Sequence, residues 1–301
     1  MNNNRKIRVA VLGTGKIASD LAARIHAAPD MTLAAVAGRR PESEGLERIA
    51  KIADFSTSQG LSGLRDVRDE IDGVFDATSA FDHLTHWSTL QEWGKWVIDL
   101  TPSRVGKPTV PVLGEHFPRF GIEPTRSWNY SMVTCGGQSG SPIAAAFARN
   151  AEGITAVEVS SSIASDSAGP ATRRNIDDYV VTTERLLAEI SETKHAKAIL
   201  VLNPAEPPPL MRTTVTMKAR VINSAGLLSD LENYVETVRH YVPGYSIVVP
   251  PHQPQDGVVS ATAVVEGEGY FLPKHAGNLD IINAASIEVA RRHFAENWPK
   301  S

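Results

Sequence analysis

The residue type best suited to covalent chemistry in this chain is its single cysteine, Cys135, in the stretch Met-Val-Thr-Cys-Gly-Gly-Gln. Because the chain has no second cysteine, the sulfur is either a reactive thiol or a buried apolar group. A strand-like stretch precedes it, and two glycines and a helix-like run at 142–150 follow it. The thiol is therefore expected near a helix N-terminus, where backbone amides and the helix dipole favour a thiolate nucleophile. The local sequence leaves both alternatives open.

A second kind of chemistry is indicated near the N-terminus, where Gly13, Gly15 and Ala18 have the spacing Gly-x-Gly-x-x-Ala. The stretch follows a predicted strand at 7–12 and opens a predicted helix at 17–28. Glycines at these positions allow a tight turn and a close approach of a pyrophosphate to the helix N-terminus. The spacing predicts a dinucleotide-binding turn, and the alternative is an ordinary strand-to-helix turn.

The end of the second predicted strand, at 33–37, bears on the choice of dinucleotide. A domain specific for NAD usually has an acidic residue there, but this chain has Gly38 followed by Arg39 and Arg40. Two guanidinium groups suit a 2′-phosphate because arginine pairs with phosphate in bidentate geometry. The sequence therefore favours NADP over NAD. The alternatives are a solvated basic turn, or a ribose held by Glu42 or Glu44.

The order of the predicted elements indicates two domains of different class. In the first part of the chain, short apolar strands alternate with helices, which predicts a Rossmann-like, doubly wound parallel sheet. After Cys135 the strands are longer and the helices fewer, which predicts an α+β domain. The expected dinucleotide-binding domain is 1–132 together with a C-terminal helix at about 276–301. The expected catalytic and dimerisation domain is 133–275.

The composition narrows the class of protein. The chain has 301 residues, 42% of them hydrophobic, and a formal net charge of −4, which argues against a general nucleic-acid surface. The sequence has no apolar run of the ~20 residues that a membrane helix needs. A signal peptide is not evident, so a cytoplasmic location is expected. His83 and His86 are three residues apart, but no third ligand is spaced to join them, so no metal site is expected.

Seven ordered motifs resemble one family over nearly the whole chain. They include Phe-Asp-Ala-Thr-Ser-Ala at 75–80, Ile-Asp-Leu-Thr-Pro at 98–102 and the cysteine motif at 132–138. The others are Ser-Ala-Gly-Pro at 167–170, Asn-Ile-Asp at 175–177, Asn-Pro-Ala-Glu-Pro-Pro at 203–208 and Ala-Gly-Asn-Leu-Asp-Ile at 276–281. Together they resemble the acylating acetaldehyde dehydrogenases, which partner with 4-hydroxy-2-oxoacid aldolases. The resemblance implies a semialdehyde dehydrogenase-like fold.

The resemblance also implies a reaction and a set of residues. Cys135 matches the nucleophile, which forms an acyl-thioester from a short aldehyde with NAD(P); coenzyme A, the cosubstrate, then accepts the acyl group. Backbone N–H groups near Cys135 and Gly136, with the amide of Gln138 or Asn175, are candidates for stabilising the oxyanion. A homodimer and an aldolase partner are further expectations. The implied cofactor contacts are Gly13, Thr14, Gly15, Lys16, Ile17, Ser167, Ala168, Gly169, Pro170, Ala171, Thr172, Arg173, Arg174, Asn175 and Asn278.

The chain departs from the family where the family carries an Asp after Met-Arg, proposed as the base for the cysteine. Thr213 stands there, and a threonine hydroxyl cannot take a proton at neutral pH. Either another group such as Glu206 or Asp166 acts, or Cys135 is already ionised, or activity is reduced. An insertion-like stretch at 121–130 adds to the difference. Two alternatives therefore stay open: thioester chemistry with a different acyl donor or acceptor, and a dinucleotide-binding regulatory subunit of an aldolase complex.

Overall fold

The computed structural model describes residues 5–123, 125 and 128–297, of which 170, 171 and 254 are described by their backbone alone. The chain forms two compact units. Unit 1 comprises Met1–Thr109, Ile122–Met132 and Ser286–Ser301, and unit 2 comprises Val110–Gly121 and Val133–Ala285. Both this division and the expected one separate residues 132 and 133. They differ in 110–121 and 276–285, which belong to unit 2 in the structure.

Unit 1 is built on a parallel sheet of seven strands, in the order β3-β2-β1-β4-β5-β7-β6. Its strands are β1 (Ile7–Leu12), β2 (Met31–Ala37), β3 (Phe55–Thr57), β4 (Gly73–Asp76), β5 (Trp96–Asp99), β6 (Lys107–Thr109) and β7 (Asn129–Met132). Its helices are α1 (Lys16–Ala27), α2 (Glu44–Ala50) and α3 (Ala80–Glu92), with a 3-10 helix at Gly60–Glu70. The strand order reverses between β1 and β4, which is where doubly wound sheets bind ligands.

The residue pattern at 46–55 predicts a helix, and this prediction is wrong at its C-terminal end. The helix α2 ends at Ala50, and Phe55–Thr57 pairs in parallel with Ala35–Ala37 of β2. Pairing with an existing strand outweighs the helical pattern because it satisfies the backbone groups of β3. The stretch at 121–130 also leads into a strand: β7 begins at Asn129 and lies between β5 and β6. Residues 124, 126 and 127 of that stretch lie outside the described residues.

Unit 2 contains a five-stranded sheet in the order β11-β12-β10-β8-β9, antiparallel except for the β8–β9 pair. The strands are β8 (Ala151–Ala164), β9 (Ala196–Asn203), β10 (Met211–Val221), β11 (Tyr245–Gln255) and β12 (Val258–Val265). The helices are α4 (Cys135–Arg149), α5 (Pro170–Arg174), α6 (Ile176–Ser191) and α7 (Ser224–Arg239). The structure thus agrees with the predicted fold class: a parallel doubly wound sheet followed by an α+β part.

Helix α4 is the centre of unit 2. It packs against α6, α7, β8 and β10, and every residue from Gly136 to Phe147 is buried. The strand β10 alternates buried and more exposed residues, so one face of the sheet covers the helix. A helix buried on all sides fixes the position of its first residue, which is Cys135.

The last helix, α8 (Gly277–Asn297), begins in unit 2 and ends in unit 1. Residues 298–301 of the predicted C-terminal segment lie outside the described residues. None of the helices in the described ranges is both long enough and apolar enough to cross a bilayer.

Candidate active site

The turn between β1 and α1 has the geometry of an anion-binding loop. Gly13 has φ 111°, and a Cβ there would lie 2.6 Å from the carbonyl oxygen of Ala77, so only glycine fits. Gly15 is the N-cap of α1, no described side chain caps it, and a Cβ at Gly15 would meet no described atom within 4 Å. The N-terminus of α1 therefore opens on space of the kind a pyrophosphate occupies.

Neighbouring residues that the sequence reasoning missed hold this turn. Ser43 is the N-cap of α2 and donates a hydrogen bond from Oγ to Oγ1 of Thr14 at 3.0 Å. A Cβ at Gly45 would lie only 1.9 Å from the carbonyl oxygen of Thr14, so α2 can approach the turn only with glycine there. The serine at a helix start is a signal that could have identified this contact.

Arg39 and Arg40 lie where the sequence predicts them, directly after β2 and Gly38, and both are exposed. The guanidinium of Arg39 already has a partner, the carboxylate of Asp82 at 3.0 Å, near the start of α3. Glu42 and Glu44, the alternative ribose ligands, are also exposed. An incoming 2′-phosphate would have to compete with Asp82 for Arg39.

His83 and His86 belong to a buried network of side chains at the ends of β4 and β5. The carboxylate of Asp76 lies 3.0 Å from Nδ1 of His83 and 2.8 Å from Nδ1 of His86. Burial opposes the charge on Asp76, but these hydrogen bonds hold its pKa well below its usual range. Burial raises the pKa of Asp99 to about 6. Within the described ranges, no group of three or more acidic, His or Cys side chains is arranged to hold a metal ion.

Cys135 is the first residue of α4. Its neighbour Thr134 is the N-cap, and the Thr134 hydroxyl accepts a hydrogen bond from the Gly137 N–H at 2.9 Å. Although the residue as a whole is partly exposed, burial of the thiol raises the pKa of Cys135 to about 12. The N–H groups of Cys135 and Gly136 act in the opposite direction. The helix N-terminus alone therefore does not ionise this thiol, which argues against a resting thiolate.

Five hydroxyl-bearing residues surround the start of α4, and we call them the hydroxyl cluster. A Cβ at Gly136 would lie 2.0 Å from the Tyr179 hydroxyl oxygen and 2.6 Å from Oγ of Ser161. Oγ1 of Thr213 lies 3.2 Å from Oγ of Ser161. The members of the cluster are Thr134, Ser161, Tyr179, Thr183 and Thr213, with the Thr134 and Thr183 hydroxyl oxygens 2.5 Å apart. Apart from Thr213, no pattern in the sequence identified them.

The two carboxylates considered as substitutes for the missing aspartate have other surroundings. Asp166 lies 2.9 Å from Nε2 of His275. Glu206 is exposed in the loop after β9. The influences on the Cys135 pKa are burial and backbone N–H groups, with neither of these carboxylates among them. Within the described residues, hydroxyls rather than a carboxylate are the side chains beside the thiol.

The segment 167–175 is a tight loop leading through α5 to α6. Ser167 donates to the carbonyl of Ala164 at 2.7 Å, and Arg173 donates to the carbonyls of Ala168 and Ser165 at 3.0 and 2.9 Å. Arg173 thus fixes the loop itself. Among the described residues of this segment, only Arg173 lines a groove of about 320 Å³, together with Ser165, Asp166 and the Asn-Pro-Ala-Glu motif at 203–206. Thr172, Arg174 and Asn175 are at least partly exposed.

Asn278 is the second residue of α8 and is 2% exposed. None of the described residues hydrogen-bonds its Oδ1. A buried amide oxygen without a partner is costly, and such an atom fits a ligand contact better than a simple helix cap. The predicted site residues divide between the two units. Unit 1 contains Gly13, Thr14, Gly15, Lys16, Ile17, Arg39 and Arg40, and unit 2 contains Cys135, 167–175 and Asn278.

Known proteins of one family match the chain over almost its full length. Residues 135–273 match a family model described as prokaryotic acetaldehyde dehydrogenase, dimerisation. An acetaldehyde dehydrogenase from Pectobacterium atrosepticum is 42% identical over 288 residues, covering 96% of each chain. One from Spirochaeta aurantia is 43% identical, covering 96% of this chain and 95% of that protein.

A solved structure agrees with the fold. The aspartate semialdehyde dehydrogenase II of Vibrio cholerae superposes with a TM-score of 0.58, covering 98% of this chain and 100% of that one. At 11% identity it supports the architecture alone. Because the relatives named above exceed 40% identity over nearly the entire chain, this protein belongs to the acetaldehyde dehydrogenase family of nicotinamide-dependent oxidoreductases.

Proposed function

We propose that this chain oxidises a short aldehyde, acetaldehyde or propanal, and transfers the acyl group to coenzyme A through a thioester on Cys135. The observation that carries the proposal is the position of the only cysteine, on the first residue of the buried helix α4. Backbone N–H groups of Cys135 and Gly136 act on its sulfur there. Acetaldehyde is proposed as a substrate because the relatives are named acetaldehyde dehydrogenases.

The dinucleotide is held by unit 1 in this proposal. The open N-terminus of α1 fits the pyrophosphate, which Gly13, Thr14, Gly15, Lys16 and Ile17 contact through the backbone. Arg39 and Arg40 favour NADP, with Asp82 competing for Arg39. From unit 2, Asn278 offers a buried amide oxygen. The remaining proposed contacts are the loop residues Ser167, Ala168, Gly169, Pro170, Ala171, Thr172, Arg173, Arg174 and Asn175.

The residues of this chain carry out the reaction in two stages. The Cys135 sulfur, once deprotonated, adds to the aldehyde carbon and forms a thiohemiacetal, with the oxyanion facing backbone N–H groups at the start of α4. The turn at 13–17 would hold the dinucleotide, which would supply the hydride acceptor for this adduct. The thioester left on Cys135 then passes its acyl group to the thiol of coenzyme A, and the Cys135 sulfur is released. The hydroxyl cluster excludes water and orients the sulfur.

The proposal extends to assembly and location. The match of 135–273 to a dimerisation model supports a homodimer. An aldolase partner follows from the family resemblance alone. The cytoplasmic location expected from the sequence is also part of the proposal.

An assay of the purified chain with acetaldehyde or propanal, coenzyme A and either dinucleotide tests the function. We expect reduced nicotinamide to accumulate only when coenzyme A is present, beyond a first turnover on Cys135. If the dinucleotide binds but no aldehyde is oxidised and no acyl-thioester forms, the chain is a cofactor-binding subunit instead. If turnover requires an acceptor other than coenzyme A, the related thioester chemistry replaces the proposal.

A separate comparison tests the cofactor preference. The double variant with Arg39→Ala and Arg40→Ala should lose affinity for NADP by about tenfold, because two charge-assisted hydrogen bonds to phosphate disappear. Its affinity for NAD should stay within about twofold of the parent value. Equal losses for both dinucleotides would show that the two arginines do not read the 2′-phosphate.

A further inference from the structure

Beside Cys135 lies a tyrosine hydroxyl that the proposed reaction has not yet used. Tyr179 is 8% exposed, and its hydroxyl points at the start of α4, where a Cβ on Gly136 would lie only 2.0 Å from the oxygen. Its polar neighbours are the hydroxyls of Ser161 and Thr134 and the backbone N–H of Gly136. Even so, none of the described residues makes a hydrogen bond of good geometry with this hydroxyl. A buried donor without an acceptor lowers the free energy of unfolding, and packing alone does not explain why this hydroxyl is present.

The hydroxyls around Tyr179 are already engaged elsewhere. Thr134 accepts from the Gly137 N–H and lies 2.5 Å from the Thr183 hydroxyl oxygen. Ser161 lies 3.2 Å from the hydroxyl oxygen of Thr213. In the resting protein the neutral thiol is only a weak acceptor. The acceptor that appears at this place during the reaction is the ionised sulfur of Cys135.

We propose that the Tyr179 hydroxyl donates a hydrogen bond to the thiolate of Cys135 and thereby stabilises the ionised form of the nucleophile. The role requires that the phenol keep its proton. Burial, and then the nearby Cys135 charge, raise the pKa of Tyr179 well above its usual value, so the phenol acts as a donor and not as a base. The donor is preorganised: it is in place before the charge develops.

This inference rests on the proposed function only in naming the reaction that uses the thiolate. It also accounts for Thr213 standing where the family places an aspartate. A donor that stabilises the thiolate lowers the pKa of the thiol, so a weaker base is enough to remove the proton. The proton can then leave to water or to the incoming substrate. The charge on Cys135 acts on the pKa of Tyr179, whereas the Thr213 hydroxyl is hydrogen-bonded to Ser161.

The test is the rate at which iodoacetamide alkylates Cys135, measured against pH without substrates in the full chain. The single cysteine makes the labelling site unambiguous. In Tyr179→Phe the thiol pKa should rise by about one unit. Below that pKa the thiolate fraction falls about tenfold, so alkylation should slow. A more basic thiolate is also more nucleophilic, which offsets part of the loss and leaves a slowing of about threefold to tenfold. Identical rates in the variant and the parent would overturn the proposal.

Two further readouts separate this role from a structural one. Because Phe removes an unsatisfied donor, Tyr179→Phe should unfold at the same or a higher denaturant concentration than the parent. A loss of stability that accompanies the loss of reactivity would overturn the proposal. The matched control is Tyr245→Phe, since Tyr245 is fully buried in the same unit and its hydroxyl donates to the carbonyl of Ser139 at 2.8 Å. Alkylation should be unchanged in this control, and an equal slowing would also overturn the proposal.

A second variant tests the position of the Tyr179 hydroxyl while keeping the tyrosine. In Gly136→Ala the added methyl group must displace the Tyr179 hydroxyl, so the same slowing is expected, and an unchanged rate overturns the proposal. Alkylation needs no aldehyde, dinucleotide or coenzyme A. A chain that is inactive with these substrates but slowed in Tyr179→Phe contradicts the proposed function alone. An active chain with unchanged alkylation contradicts the role of Tyr179 alone.

Discussion

A buried cluster of polar side chains in each unit can be compared, and the two clusters are satisfied to different degrees. In unit 1 the Asp76 carboxylate accepts hydrogen bonds from the N–H and hydroxyl of Thr78, and His83 and His86 each place an Nδ1 within hydrogen-bond distance of it. In unit 2 the Cys135 thiol is buried near the Tyr179 hydroxyl, which has Ser161 and Thr134 close by but makes no hydrogen bond of good geometry with a described residue.

The two clusters are expected to contribute to different properties, the Asp76 cluster to stability and the surroundings of Cys135 to reactivity. Removing one partner of a buried charge is strongly destabilising, because it leaves the other partner buried and uncompensated. A buried donor without a partner costs stability until the reaction supplies an acceptor. We therefore expect substitutions in the Asp76 cluster to change the free energy of unfolding, and substitutions near Cys135 to change rates.

The largest effect is expected at the reacting atom. Replacing Cys135 with Ser should lower kcat for aldehyde oxidation by roughly 10⁴-fold, because a serine hydroxyl stays protonated where a thiol can ionise. Dinucleotide affinity and the free energy of unfolding should change little, since oxygen replaces sulfur in the same position. Steady-state kinetics and a denaturant titration measure the two. Turnover above about a tenth of the parent rate would remove Cys135 from the chemistry.

Much of unit 1 could be predicted from its sequence because its signals are local. Gly13, Gly15 and Ala18 follow one another across a single turn, and short apolar strands alternate with helices. The three-residue strand β3 was missed because its only support is pairing with β2, which no local pattern records. The contact of Gly45 with Thr14 joins residues about thirty positions apart and was missed for the same reason.

The surroundings of Cys135 could be predicted only in part. The helix start at Cys135 follows from the two glycines and the apolar run after them. Tyr179, Ser161 and Thr213 reach it from a helix and two strands that are paired across the sheet. On its own helix Tyr179 has the spacing of an ordinary core residue, since Thr183, Leu186 and Leu187 are buried on the same face. The unsatisfied hydroxyl is visible only when the side chains are in place.

The next largest effect is expected in the satisfied cluster. Replacing Asp76 with Asn should lower the free energy of unfolding at neutral pH by about 3 kcal/mol, because His83 and His86 lose the charge that they face. The matched control is Glu47→Gln, which removes an exposed carboxylate paired with Lys51 and should cost under 1 kcal/mol. Urea titrations at constant temperature compare the variants. A cost for Asp76→Asn no larger than that of the control would contradict the assigned difference between the clusters.

A smaller effect, which depends on pH, is expected at Asp99. Burial raises the pKa of Asp99 from 3.8 to about 6, so the folded state favours its protonated form. Stability from this group is full below pH 3.8 and is lost as the pH rises through 6. The parent's free energy of unfolding minus that of Asp99→Asn should therefore fall by up to about 1.4 kcal/mol per pH unit in this window.

Asp76 provides the internal control for that experiment because its pKa is shifted the other way. Its contribution is present above its ordinary pKa of 3.8 and is lost only as the pH falls below that value. The difference between the parent and Asp76→Asn should thus stay nearly level between pH 4.5 and 6, about the range of the Asp99 titration. A level difference for Asp99→Asn as well would mean that folding does not raise the pKa of Asp99.

The smallest effect is expected at Thr213, whose hydroxyl is hydrogen-bonded to Ser161 of the hydroxyl cluster. Thr213→Val keeps the shape that packs beside Gly140 and removes one hydrogen bond, so it should cost about 1 kcal/mol of stability. Alkylation of Cys135 should slow by less than about twofold, since Tyr179 keeps its hydroxyl. The control is Thr214→Val, which removes the hydrogen bond to Thr262 at 2.8 Å on the same strand. A slowing at Thr213 as large as that expected for Tyr179→Phe would transfer the thiolate-stabilising role from the tyrosine to the Ser161–Thr213 pair.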